Sequence, residues 1–302
     1  MPSDINLTPT GSLIEIVPQS HGSTQGTSQA IPGRTWGTAS ECRAAALLVH
    51  GLGAHSGWYE ALGRRLRVKR FFSLAYDQVG FGKRRNQTLM MKQQWLDDIK
   101  EAYDHLRNTV GDKPIFVMGN SMGALLALKA SGKLGQAGSE APAGLVLFSP
   151  GFDGHPQTFK FSYRAKAIYK ALFDPDAELA LPYTFDDITR EETVRNWLAN
   201  DPDQRTVLPA RMLLELLKLS QEVKTSVKKV NCPVLMLTAG QEKIVDNQVN
   251  EQVFERLSAP KKTSHRFEAA WHDLMFDPLL DEVVEMVSAW MIEVAKERQA
   301  VG

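Results

Sequence analysis

The chain has 302 residues, with 35 Lys+Arg against 35 Asp+Glu and no formal net charge. That balance excludes the basic footprint of a nucleic-acid binder, and a hydrophobic content of 43% suits a globular chain able to bury a large core. The two cysteines, Cys42 and Cys232, fit no metal or redox spacing, so neither metal nor cofactor is expected. Both are read as buried or half-buried thiols in a reducing compartment.

Residues 1–19 lack the basic stretch and apolar core of a secretory signal. No run reaches the ~18 apolar residues that a membrane span needs. The expectation is a cytoplasmic protein that at most touches a membrane surface.

Residues 13–17 read as a strand, 21–30 as a Ser/Thr/Gly/Gln-rich loop, and 34–37 as a second, edge strand. From residue 44 the pattern is regular. Short continuous apolar runs at 45–49, 72–76, 115–118, 144–148 and 234–237 are what strands buried on both faces look like, with a weaker one at 265–269. Helical stretches at 58–68, 91–110, 250–257 and 279–298 alternate with them; Trp95, Ile99, Tyr103 and Leu106 recur at helical spacing. Alternating buried strands and helices imply a parallel sheet covered on both sides. The alternation breaks at 153–230, where amphipathic helices are read at 160–173, 190–200 and 211–229. Thr189-x-x-Glu192 has the form of a capping box for the second. The reading is a core in two parts, 1–152 (irregular over 1–42) and 231–302, with a helical cap at 153–230 between them.

Ser121 stands in Gly119-Asn120-Ser121-Met122-Gly123, after the apolar run 115–118 and before the helix-forming run 124–129. A serine on a sharp strand-to-helix turn projects its hydroxyl from a strained backbone, and the glycines allow close packing around it. In chain order an acid and then a histidine should follow, each on a loop after a strand. Asp246 is the favoured acid, with Glu242 its rival on the same loop. His272 is the expected base, preferred over His50, His55, His21, His155, His105 and His265 by order and loop position. The backbone N–H groups of Met122 and of Leu52, in the loop 50–55, are the expected oxyanion donors.

These residues resemble a known family. His50-Gly51-Leu52-Gly53-Ala54-His55-Ser56-Gly57-Trp58-Tyr59, Asp77-x-x-Gly80-Phe81-Gly82, the Ser121 turn, Ile244-Val245-Asp246, Trp271-His272 and Asn200-Asp201-Pro202 are similar to the monoacylglycerol lipase and bacterial lysophospholipase group of α/β-hydrolases. The resemblance implies an α/β-hydrolase fold, with a mostly parallel eight-stranded sheet flanked by helices and a helical cap. It also implies hydrolysis of one acyl chain from a glycerol-based lipid ester, with Ser121, Asp246 and His272 as triad and Leu52 and Met122 as oxyanion donors.

Lys83-Arg84-Arg85 departs from the family, which carries a small polar residue there. It is read as a solvated basic turn, with contact to an anionic headgroup as the alternative. In 160–173, Phe161, Ala165, Ile168 and Leu172 share a helical face beside Lys160, Arg164, Lys166 and Lys170. Packing of that face on the core is the first reading and docking on an anionic lipid surface the second. Met212, Leu213, Leu214, Leu216 and Leu217 are assigned to the acyl tunnel or the cap core. The competing functions are a small-ester carboxylesterase, acyltransferase or peptidase on the same triad, and a non-catalytic binding protein on a hydrolase fold.

Overall fold

A computed structural model describes residues 5, 7–18, 29–134 and 141–301. The loop expected at 21–30 falls, as far as residue 28, outside them. The described elements are β1 (Ser12–Ile16), β2 (Ile31–Trp36), β3 (Ala44–Val49), a 3-10 turn (Ser56–Tyr59), α1 (Glu60–Val68), β4 (Phe71–Tyr76), α2 (Gln93–Val110), β5 (Ile115–Asn120), α3 (Met122–Ser131) and β6 (Gly144–Phe148). Then come α4 (Phe161–Phe173), β7 (Glu178–Ala180), α5 (Phe185–Ile188), α6 (Glu192–Ala199), β8 (Val207–Pro209), α7 (Ala210–Ser226), β9 (Val234–Ala239), α8 (Asn247–Glu255), β10 (Lys262–Phe267) and α9 (Leu280–Val301).

Eight strands form one sheet in the order β1-β2-β4-β3-β5-β6-β9-β10. β2 pairs antiparallel with both β1 and β4, and every other pairing is parallel. This is the α/β-hydrolase architecture, with the helical insertion between β6 and β9. β2 is not an edge; β1 covers it. The parallel strands are buried on both faces because alternate side chains serve two cores. In β5, Ile115 and Val117 pack with Trp95, Ile99 and Tyr103 of α2, whereas Phe116 and Met118 pack with Leu62 of α1 and Val287 of α9. β10 begins three residues earlier than expected, at Lys262. Only Phe267 in it is buried, so this edge strand carries no apolar run to mark its limits.

The insertion also holds a short ribbon, β7 against β8, which the apolar pattern did not reveal because each strand buries only one residue. The capping box lies at Thr184–Asp187, on α5. Thr189 does not cap α6: its hydroxyl donates to the Phe276 carbonyl at 2.9 Å, tying the insertion to the loop after β10. The α4 expectation is overturned. Its contact with α7 is made by the small residues Ala167 and Ala171, which let the helices approach, while Phe161 (84% exposed), Phe173 (73%), Leu172 (64%) and Tyr169 (60%) face solvent.

Candidate active site

Parallel strands end together, so the loops after β3, β5, β9 and β10 gather at one end of the sheet. Ser121 follows β5 with φ 52° and ψ −114°, a left-handed conformation that few non-glycine residues adopt. The turn is held by Ser121 N–H donating to Phe148 O (2.9 Å) and by Gly151 N–H donating to Ser121 O (3.1 Å). A Cβ on Gly123 would overlap the Val49 carbonyl oxygen, and one on Gly119 the carbonyl of Gly123, so both positions require glycine. Ser121 does not cap α3 with its side chain, so its hydroxyl stays out of the helix's own hydrogen bonding.

The β3 loop lies against this turn. A Cβ on Gly51 would sit 3.3 Å from Ser121 Cβ, which brings Leu52, the next residue, to the Ser121 turn. His50 braces the loop from inside. Its Nδ1–H donates to Gly51 O (2.8 Å), its Nε2 accepts from Gln78 N–H (3.1 Å), and Gln78 Nε2 donates to His50 O (2.8 Å). Burial lowers its pKa to about 4, so it is a neutral strut. Asp77 joins the loop to the next turn, accepting from Ser56 N–H and Lys83 N–H, both at 2.8 Å. His55 and Trp58 donate to Asp201 Oδ2 of the insertion, at 2.7 and 3.0 Å.

His272 lies on the loop after β10 and is 5% exposed. Its Nδ1 contacts Glu242 Oε2 at 2.8 Å and Oε1 at 2.9 Å. Glu242 is itself fixed by N–H donors from Ile244 (2.8 Å) and Val245 (3.1 Å). Asp246, the favoured acid, is not the residue on the imidazole. It caps α8, with Oδ1 accepting from Gln248 N–H (2.9 Å) and Val249 N–H (3.4 Å). The correction has a local cause. α8 starts at Asn247 rather than 250, which makes Asp246 the residue just before a helix, where aspartate bonds the free N–H groups. The signal was an aspartate directly preceding the helical run.

Burial opposes the Glu242 charge, but the His272 charge and the hydrogen bonds from His272, Ile244 and Val245 outweigh it and hold the carboxyl below its ordinary value. Burial likewise opposes charge on His272, but Glu242, by charge and hydrogen bond, and Asp273 raise it above 6.5. A carboxylate on Nδ1–H leaves Nε2 as the proton-accepting nitrogen.

The basic turn is only partly solvated: the side chains of Lys83 and Arg85 stay 62% and 40% exposed but are ion-paired, and Arg84 is buried. Lys83 and Arg85 pair with the two carboxylate oxygens of Asp203 in the insertion, at 2.5 and 2.6 Å. Arg84 is buried against Asp98 at 2.7 Å. Met212 packs into the main core, with its methyl against Gly80. Leu213 and Leu216 lie against that core, Leu213 and Leu214 against the α4–α7 cluster, and Leu217 is 37% exposed. A cleft between the β3 loop and the insertion is lined by Leu52, Trp58, Leu181, Tyr183, Phe185 and Gln204.

Residues 40–279 match the family Hydrolase_4, serine aminopeptidase S33. The chain is 27% identical to human monoglyceride lipase over 250 residues, covering 80% of this chain and 79% of that protein. It is 24% identical to the phospholipase YtpA of Bacillus subtilis over 248 residues, covering 81% and 93%. In fold it is similar to the monoacylglycerol lipase of Paleococcus ferrophilus (TM-score 0.76, 22% identity, 87% and 99% covered). It is also similar to a soluble variant of the Saccharomyces cerevisiae monoglyceride lipase (TM-score 0.83, 17% identity, 97% and 98% covered). With most of its length matched, the chain belongs to the Hydrolase_4 family and is a monoacylglycerol-lipase-like, serine-hydrolase-type α/β-hydrolase.

Proposed function

We propose that this protein is a serine esterase that releases the fatty acid from monoacyl glycerolipids, with Ser121 as nucleophile, His272 as base and Glu242 as the acid. The observation that carries the reading is the buried Glu242–His272 pair on the same end of the sheet as a Ser121 held in a strained turn. His272 Nε2 takes the Ser121 proton as Oγ attacks the ester carbonyl. The N–H groups of Leu52 and Met122 stabilise the oxyanion, each typically worth ~3 kcal/mol of barrier. The imidazolium protonates the departing glycerol oxygen, and water activated by His272 then frees the acyl chain.

The segment 153–230 serves as a cap domain on the core formed by 1–152 and 231–302. Its helix α4 offers aromatic side chains with exposed Lys160 and Lys166 beside them, the character of a surface that rests on an anionic membrane. No helix among the described residues is long and apolar enough to cross one. On this reading the protein works in the cytoplasm and meets its substrate at the bilayer face. Of the two candidate headgroups, neutral glycerol is the better supported, because Lys83 and Arg85 are committed to Asp203 rather than free for a phosphate.

The test is fatty-acid release from a monoacylglycerol and a lysophospholipid of equal chain length, by wild type and Ser121→Ala. Release that disappears in the mutant, faster from the monoacylglycerol, is expected. Cleavage of short-chain esters alone would make the protein a small-ester esterase with a size-filtering cap. For the surface, the Phe161→Ser/Phe173→Ser double variant should bind anionic vesicles at least tenfold more weakly, since each buried ring contributes about 2 kcal/mol. Unchanged flotation would remove α4 from the membrane contact.

A further inference from the structure

The proposed mechanism leaves one buried carboxylate at the site without a role. Asp273 follows the base directly, is 2% exposed, and carries no salt bridge to a Lys or Arg among the described residues. Its side chain accepts a hydrogen bond from Asn120 Nδ2 at 3.2 Å, and Asn120 is the residue directly before the nucleophile. One buried side-chain contact thus joins the nucleophile turn after β5 to the histidine loop after β10, across 153 residues of sequence. The histidine loop is held from its other side too. Asp273 N–H donates to Ile188 O of the insertion at 3.1 Å, and Ser149 Oγ donates to His272 O at 2.8 Å.

We propose that Asp273 is a positioning residue for the reaction: through Asn120 it fixes the histidine loop against the nucleophile turn, and its charge assists Glu242 in stabilising the His272 imidazolium. This rests on the proposed assignment of Ser121 and His272. The groups that face Asp273 are His272 and Met275 N–H on its own loop, Glu242 on the loop after β9, Asn120 on β5, Tyr59 on the 3-10 turn before α1, and Tyr183 in the insertion. His272 is the only one of these that is cationic when protonated. Tyr59 already donates its hydroxyl to Val49 O, at 2.8 Å. Burial first, and the nearby Glu242 charge, push the Asp273 carboxyl up to about 6, against the pull of His272. Above that pH the carboxylate accepts from Asn120 Nδ2. Asn120 Oδ1 is buried without a hydrogen-bond partner and would accept from a protonated Asp273 after an amide flip.

The test is the NMR titration of the His272 imidazole in wild type, Asp273→Asn and Asn120→Ala, alongside kcat, KM and the pH profile of ester hydrolysis. Loss of the neighbouring negative charge lowers the His272 pKa. The titration midpoint, and with it the acid limb of kcat/KM, is expected to move down by about one pH unit in Asp273→Asn. The kcat should fall about tenfold with KM within twofold, and the double variant should lose no more than the worse single one. Asn120→Ala, which leaves the Asp273 charge in place, should move the midpoint less but in the same direction. It also decides the matter if Asp273→Asn does not fold. An unmoved His272 midpoint in a folded variant would overturn the proposal. If no ester is cleaved by wild type, the functional reading fails instead, and the titration still reports on the Asp273–His272 coupling.

Discussion

Replacing Glu242 by Gln and, separately, Asp246 by Ala discriminates between the two carboxylates of one loop. Glu242 Oε1 accepts from Ile244 N–H and Val245 N–H as well as lying 2.9 Å from His272 Nδ1, and Oε2 lies 2.8 Å from the same nitrogen. In Glu242→Gln the carbonyl oxygen stays on the two backbone donors, which it alone can accept from. The amide NH₂ then faces Nδ1 and favours the tautomer that accepts there. His272 is left with its proton on Nε2, pointing at Ser121, and is no longer a base. The equivalent acid-to-amide change in serine proteases lowers kcat about ten-thousandfold. Here the one oxygen held by both backbone N–H groups keeps the geometry, so a loss of about a thousandfold to ten-thousandfold is expected, about 4–5.5 kcal/mol of barrier. Asp246→Ala removes only two N-cap hydrogen bonds, of 2.9 and 3.4 Å, and should cost about 1 kcal/mol of stability with kcat within a fewfold of wild type. The assay is kcat for a monoacylglycerol under saturation, with urea unfolding for both variants. A thousandfold loss in Asp246→Ala together with near-normal turnover in Glu242→Gln would refute the assignment.

Three further outcomes are expected. Because His272 is raised above its ordinary 6.5 and must be neutral to accept the Ser121 proton, the acid-side midpoint of kcat/KM should lie above pH 6.5; a midpoint well below it would contradict the Glu242 pairing. Gly123→Ala should yield no folded protein, since its Cβ meets the Val49 carbonyl. Gly51→Ala, with its nearest neighbours at 3.3 Å, should fold with a loss of about 1 kcal/mol, readable by circular dichroism melting. Asp98→Ala strands the buried Arg84 guanidinium, whose Nη1 also donates to Asp77 O at 3.0 Å, and should destabilise by about 3–5 kcal/mol in chemical denaturation.

The insertion is fastened to the β3 loop and to the loop that carries His272. Ile188, Thr189 and Arg190 bond Asp273, Phe276 and Asp277 on the histidine side. Arg205 N–H donates to Gly53 O, and Asp201 accepts from His55 and Trp58, on the β3-loop side. Asn200-Asp201-Pro202 and the loop with His55, two separate stretches of the family resemblance, thus meet as two halves of one joint.

Much of this architecture follows from patterns that are local along the chain. The two-faced burial of β3, β4, β5, β6 and β9 requires continuous apolar runs, and the strand-turn-helix around Ser121 is a contiguous stretch whose glycines are dictated by backbone overlap at Gly119 and Gly123. The position of His272 after the last strand was legible for the same reason. Elements held by long-range contact were not. β7 and β8 bury one residue each, so no run announces them, and β10, which also buries one, showed only as a weak run placed three residues late. Whether the apolar residues of α4 face inward depends on what α7 offers, and it offers a seat for Ala167 and Ala171. Lys83 and Arg85 look solvated until Asp203, more than a hundred residues away, is folded against them. The choice between Glu242 and Asp246 belongs to the same class. Four residues apart on one loop, they are equivalent in sequence order, and only the start of α8 at Asn247 turns one into a helix cap and leaves the other against the imidazole. The sequence alone determined that the Ser121 turn and the His272 loop follow strands at one end of the sheet, because that is written in local backbone requirements. Which side chains meet there was decided by the tertiary structure, because hydrogen-bond partners are set by distances that no local pattern encodes.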